Sequence, residues 1–245
     1  MGLYSKIIVI PDSHDEPGVE QSRFTLANKL IRAEKPDYVV HLGDHFDTQS
    51  LGKYDKGKAH GEGVRLTEEL ASGRKALDLI CNRAKGVKWV FLEGNHENRA
   101  NDYANDNPEL VGLVGSHMFP LDGWQQVPFL KPIELEGVWF SHYFPSGVMN
   151  RPIGGINPGQ AVLRKHKRSA VWGHSHEFHY ATEGNALDGQ VVHALNAGCF
   201  FEQWHGFAGP ANRLYRRGIA ILHNVCDGDF DLEWVSIDRL REKYD

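Results

Sequence analysis

Aspartate, histidine and asparagine recur in five short clusters along this 245-residue chain. They are Asp12-Ser13-His14, Gly43-Asp44-His45-Phe46-Asp47, Gly94-Asn95-His96-Glu97, Ser141-His142 and Gly173-His174-Ser175-His176. Carboxylate, amide and imidazole groups bind hard or borderline divalent ions, and imidazole also moves protons near neutral pH. No thiolate joins them. The three cysteines, Cys81, Cys199 and Cys226, are scattered and form no CxxC pair, which argues against a disulfide framework or a thiolate zinc site. A lone Asp-x-His triplet is expected by chance roughly once in such a composition, and Asp12 or Asp44 alone reads as a cap or a turn. GNHE and GHxH are rarer, on the order of one chance occurrence in ten chains or fewer. The signal is the ordered set, each member after an apolar run.

Those apolar runs predict the elements that position the clusters. Ile7–Ile10, Tyr38–Leu42 and Val87–Leu92 read as strands, separated by helical spacing over Gln21–Ala33 and Leu66–Ala84. Strand, helix, strand, helix, strand implies a parallel sheet with crossover helices, and function belongs at the carboxyl ends of such strands. A hairpin pairs Ile133–Leu135 with Val138–Phe140 through Glu136-Gly137. Gly159–Lys167 is a short basic helix and Ala170–Trp172 a strand. Tyr180–Ile237 alternates short strands with turns, so the chain ends β-rich. Arg99–Trp124 reads as short helical pieces mixed with turns. Residues 48–65 and 100–130 are expected as excursions over the site, within one domain spanning 1–245.

Composition narrows the class. Apolar residues are 41% and charged residues 24%, ordinary for a packed globular protein and unlike a disordered chain, a collagen or a coiled coil. The formal net charge is -5, which opposes bulk neutralisation of nucleic acid. Neither a basic-apolar leader nor a membrane-spanning run is visible, so a cytoplasmic location is expected.

The five blocks, D-x-H, G-D-x-x-D, G-N-H-[DE], H and G-H-x-H, resemble the calcineurin-like metallophosphoesterases over residues 6 to about 180. The segments around GNHENR and His205–Ala208 are also similar to stand-alone members of phages and bacteria. The resemblance implies a four-layer α-β-β-α sandwich with mixed sheets and parallel core strands. It implies a dinuclear phosphoester hydrolase, in which a hydroxide held between two cations attacks phosphorus in line. It further implies Asp12, His14 and His176 on a first metal ion, Asn95, His142 and His174 on a second, and Asp44 bridging both. His96 would be the general acid rather than a ligand. Manganese leads among the expected ions, with iron, zinc and nickel also compatible.

Residues beside the motifs receive lesser roles: Asp47 as an orienter of the ligands, Glu97 as an orienter of Asn95 or His96, and Arg99 as a substrate contact. His45 and His179 read as structural or rim residues and His41 as a satisfied core histidine. His60, His117, His166, His193, His205 and His223 have no motif support. Two basic groups, Lys53/Lys56/Lys58/Arg65 and Arg164–Arg168, are by default solvated faces. Protein phosphatases of the family resemble G-D-x-x-D-R-G and R-G-N-H-E, whereas Thr48 follows Asp47 here and Glu93 precedes Gly94. The substrate expectation leans to phosphodiesters or nucleotides, with phosphomonoesters as the alternative. A non-catalytic scaffold of the same fold is disfavoured by the complete ligand set, and a nucleic-acid-binding module by the net charge.

Overall fold

A computed structural model describes residues 4–53, 62–81, 84–204 and 206–245. Lys56, Lys58, His60 and His205, weighed above, lie outside the described residues. In chain order the strands are β1 (Ser5–Ile10), β2 (Tyr38–His41), β3 (Lys88–Leu92), β4 (Gln125–Val127), β5 (Ile133–Leu135), β6 (Val138–Phe140), β7 (Pro145–Ser146), β8 (Arg151–Pro152), β9 (Ala170–Trp172), β10 (Phe178–Gly184), β11 (Val191–Ala197), β12 (Gly218–Cys226) and β13 (Asp229–Ser236). The helices are α1 (Ser22–Glu34), α2 (Leu66–Cys81), α3 (Asn95–Asp106), α4 (Pro158–His166) and α5 (Ile237–Tyr244).

Two mixed sheets form. The first has the order β13-β12-β1-β2-β3-β4 and the second β10-β11-β9-β6-β5. β1 through β4 run parallel, as do β6, β9 and β11. Strand alternation explains why the β1 run is apolar throughout. Ile8 and Ile10 enter a core with Phe24, Leu30, Leu77 and Leu240 of the helices. Ile7 and Val9 enter a second core with Phe140, Val171 and Leu195 of the other sheet. A strand covered on both faces has no polar side to show.

A third core sets Val162 and Leu163 of α4 against Ala170, Trp172 and Ala194. The layers are therefore helices α1, α2 and α5, first sheet, second sheet, α4, which is the four-layer arrangement expected. β11 joins the second sheet and β12–β13 the first, so residues beyond 180 complete both sheets. No described helix is long and apolar enough to cross a membrane.

One element differs from expectation. Residues 95–106 form a single helix, α3, which begins at Asn95 itself. Its sequence, NHENRANDYAND, carries almost no apolar stripe, and apart from Ala100 and Ala104 its apolar content is slight. What starts it is local: the Glu97 carboxylate accepts the Gly94 N–H at 2.7 Å, satisfying one of the unpaired donors of the first turn. Residues 100–106, expected within an excursion, therefore belong to this helix. Further on the chain forms β4, a parallel edge strand beside β3.

Candidate metal centre

The five sequence clusters follow β1, β2, β3, β6 and β9, and their side chains meet at the shared carboxyl end of the two sheets. Three groups of donor atoms lie within 4.8 Å of one another: Asp12/His14/His176, His14/Asp44/His96 and Asp44/His142/His174. Asp12, His14, Asp44 and His142 are almost wholly buried, and His174 is half-buried. Asn95 joins through its Oδ1, 3.0 Å from His142 Nε2.

Backbone conformation is unusual here. His14, Asp44, His174 and His176 all have φ between 37° and 70°, the left-handed region that L side chains avoid. Such conformations persist where surrounding contacts impose them, and they concentrate at functional sites. The contacts are visible. Ser13 and His14 donate their N–H groups to Asp44 O at 3.2 and 2.9 Å, and Asp15 donates to His45 O at 2.8 Å. Both Asp12 carboxylate oxygens accept from the His174 N–H, at 3.0 and 2.9 Å.

Two glycines let carboxylates approach. A Cβ on Gly94 would sit 2.1 Å from Asp44 Oδ1, and one on Gly173 2.1 Å from Asp12 Oδ1. Any side chain at either position would displace the carboxylate.

Glu97 takes a role other than the expected one. It orients neither the Asn95 nor the His96 side chain. Its two oxygens accept the N–H groups of Asp44, His45, Phe46 and Gly94 at 2.7–2.9 Å. It thus clamps the Asp44 loop to the start of α3. Burial and the nearby Asp44 charge push its carboxyl up to about 7, against the pull of these N–H donors.

Asp47 Oδ1 lies 2.9 Å from His14 Nδ1 and 2.7 Å from His96 Nδ1, so one carboxylate orients both rings. Arg99 donates to Asp47 O at 2.8 Å and lies 3.1 Å from His96 Nε2. His45 is buried, as expected of a structural residue, and His179 pairs with Glu177 at the half-exposed rim.

The pattern of imidazole contacts bears on what the cluster can hold. His142 Nδ1 lies 2.8 Å from Leu42 O, so that nitrogen carries the proton. Its Nε2 is then directed at Asp44 Oδ2 at 3.4 Å, Asn95 Oδ1 at 3.0 Å and His174 Nδ1 at 3.2 Å. Four potential ligand atoms thus converge on one point, where a divalent ion would replace any proton shared among them. His14 repeats the arrangement, with Nδ1 toward Asp47 and Nε2 toward His176 Nε2 at 3.3 Å. An outer partner on one imidazole nitrogen and a convergent lone pair on the other is the usual dress of a metal-binding histidine. The residues fit divalent ions.

Without an ion, protonated imidazoles balance the buried carboxylates. Burial alone would raise the Asp44 carboxyl, but His142 and His96 hold it well below the usual range. Burial disfavours charge on His142, yet Asp44 beside it pushes the ring up to about 9. Burial and the neighbouring His142 push His174 down to about 4, leaving a neutral ring. Burial likewise lowers His14. Against burial, Asp44 and Asp47 push His96 up to about 9.

Three supports had no sequence signal. Arg23 is buried and donates to Ser13 O and Phe200 O, both at 3.1 Å. Asp15 accepts from Ser72 Oγ and Gln21 Nε2, tying the first loop to α1 and α2. Gln203 Nε2 donates to His14 O at 2.6 Å. Arg23 lies beside no motif of the sequence. Only its partners, up to 177 residues away, disclose the role.

Fold and donor set together define a metal-binding α/β sandwich with its site between two sheets. The sequence model for calcineurin-like phosphoesterases matches residues 5–178, and the chain belongs to that family of metal-dependent phosphoesterases. The Gene 54 protein of Mycobacterium phage L5 is 24% identical over 180 residues, 71% of this chain and 70% of that one. Among solved structures, an archaeal phosphodiesterase aligns over 94% of this chain and 99% of its own, at 13% identity and a TM-score of 0.45. Yfce, a phosphoesterase from E. coli, aligns over 95% and 99%, at 16% identity and a TM-score of 0.42.

Proposed function

We propose that this chain hydrolyses phosphoesters at a centre of two divalent ions, manganese foremost. Asp12, His14 and His176 hold one ion, Asn95, His142 and His174 the other, and Asp44 is shared. The observation that carries this reading is the set of interlocking donor groups, in which His14 and Asp44 each belong to two. When bound, the ions supply positive charge for the phosphoryl oxygens and lower the pKa of water to a useful range.

The chain's own residues do the rest. Asp47 takes the Nδ1 side of His96 and aims Nε2 at the centre, 3.9 Å from Asp44 Oδ2. From there His96 donates a proton to the departing oxygen. Arg99 can only donate to that nitrogen, so Nε2 is unprotonated while the contact stands. An entering phosphoryl group would draw the guanidinium onto its own oxygens. Nε2, on a ring pushed up to about 9, would then take from solvent the proton it gives. Glu97 and the two glycines keep Asp44 in place, so little reorganisation accompanies the reaction.

Phosphodiesters and nucleotides are the favoured substrates, supported by the GHSH block and by Thr48 where protein phosphatases carry arginine. Phosphomonoesters are the second reading. One observation favours them: among the described residues Arg99 has no carboxylate partner, which leaves a cation for the extra charge of a monoester. A panel of mono- and bis-ester chromogenic compounds, cyclic nucleotides and single- and double-stranded DNA, each with manganese, separates the two. His96→Ala is expected to retain both ions while turnover on poor leaving groups falls about 10²- to 10⁴-fold. Loss of an ion from that variant contradicts the assigned role. Under the monoester reading, Arg99→Ala raises KM for monoesters about tenfold more than for diesters.

A further inference from the structure

Two histidines that the reaction leaves unused, His41 and His45, meet at the hydroxyl of Ser13. Ser13 lies between the proposed ligands Asp12 and His14 in sequence, yet its Oγ bonds neither. It sits 3.0 Å from His41 Nε2 and 2.6 Å from His45 Nδ1, and all three residues are buried.

The ends of this chain of contacts fix its direction. The Gly43 N–H donates to His41 Nδ1 at 3.2 Å, so the His41 proton is on Nε2 and is given to Ser13. His45 Nε2 lies 2.9 Å from Gly73 O, which can only accept, so the His45 proton is there and its Nδ1 accepts. Ser13 therefore accepts from His41 and donates to His45. One arrangement satisfies every group, and a fully satisfied buried network is rigid. It joins the end of β2, the Asp44 loop and α2 to the Asp12–His14 loop.

We infer that Ser13, His41 and His45 form a positioning relay that holds the Asp12/His14 loop against the Asp44 loop and thereby sets the affinity of the Asp12/His14/His176 group for its ion. The inference rests on the two-ion reading above. These are positioning residues; none contacts substrate. The relay does for a loop what an outer-sphere partner does for a single ligand, and disturbing such partners weakens metal binding about ten- to a hundredfold.

The test is calorimetric titration of the metal-depleted full chain with manganese alone, with the event lost in His176→Ala identifying the group concerned. Ser13→Ala is expected to weaken that event about ten- to a hundredfold and the other by less than about threefold. The melting temperature without metal should fall by only a few degrees, the cost of leaving the His41 and His45 nitrogens unmatched. Ser13→Thr, which keeps the hydroxyl, restores affinity. His45→Leu, which offers Ser13 no acceptor, weakens the same event. The double variant loses no more than the weaker single one, because both break one relay. Wild-type affinity in Ser13→Ala, or equal weakening of both events with a matching fall in melting temperature, overturns the relay alone. A wild-type chain that binds no manganese overturns the two-ion reading and the relay with it.

Discussion

The loops of the first sheet and the GHSH loop of the second contribute to the same centre but are built differently. The loops after β1, β2 and β3 are buried and tie to one another. Asp44 O takes two N–H groups from the first loop, Glu97 takes three from the second and one from the start of the third, and Ser13 joins His41 to His45. The GHSH loop has an exposed Ser175 and a half-buried His174. Its supports come one each from elsewhere: Gly173 N–H to His142 O, Asn196 Nδ2 to Ser175 Oγ, and Arg216 N–H to His176 O. The first sheet thus provides a densely bonded frame around Asp44. The second closes that frame with imidazoles, fastened mainly by the Asp12 carboxylate. Hydrogen bonds are concentrated around Asp44, the carboxylate proposed to serve two ions, and are fewer on the GHSH side.

Substitutions on the two sides should separate in size. The largest effect in this comparison is expected from Gly94→Ala, where the new Cβ lands on Asp44 Oδ1 inside this frame. Steady-state assays should find kcat/KM reduced on the order of 10²-fold or more, since a displacement near 1 Å in a catalytic group costs about that much. Activity within a few-fold of wild type would mean that the frame yields. Next comes Glu97→Gln, which replaces two acceptors for four N–H groups by one. Leaving buried donors unmatched costs about 1–3 kcal/mol, seen as a lower denaturation midpoint with an unchanged slope. An unchanged midpoint would show that the clamp adds nothing. The smallest effect belongs to Ser175→Ala on the GHSH side, where one bond to Asn196 is lost. Activity and stability should stay within about threefold and 1 kcal/mol, and a collapse of either would erase the distinction between the two loops.

The same difference decides what could be read from sequence. The β1–β3 strand ends, the β5–β6 hairpin and β9 stand where apolar runs and turn residues place them. Their clusters converge because parallel strands leave their carboxyl ends together. What stayed hidden lies in contacts between distant segments. Glu97 looks like a neighbour of Asn95 and His96, but it faces amides more than 50 residues away in sequence. α3 has the composition of a loop and is held by its cap and by the excursion packed on it. The burial of Arg23 and Asp15 is intelligible only once Ser13 O, Phe200 O and Ser72 are beside them. His41 and His45 read as ordinary core residues because tautomer and direction are properties of a three-dimensional network.

The central claim is a centre of two ions built on one shared carboxylate. Elemental analysis of the purified chain after manganese loading, alongside His176→Ala and Asp44→Asn, tests it most directly. Two ions per wild-type chain, one in His176→Ala, none in Asp44→Asn and activity reduced on the order of 10³-fold in the last are the expected results. Two ions retained by Asp44→Asn, or a single ion in the wild-type chain, would contradict it.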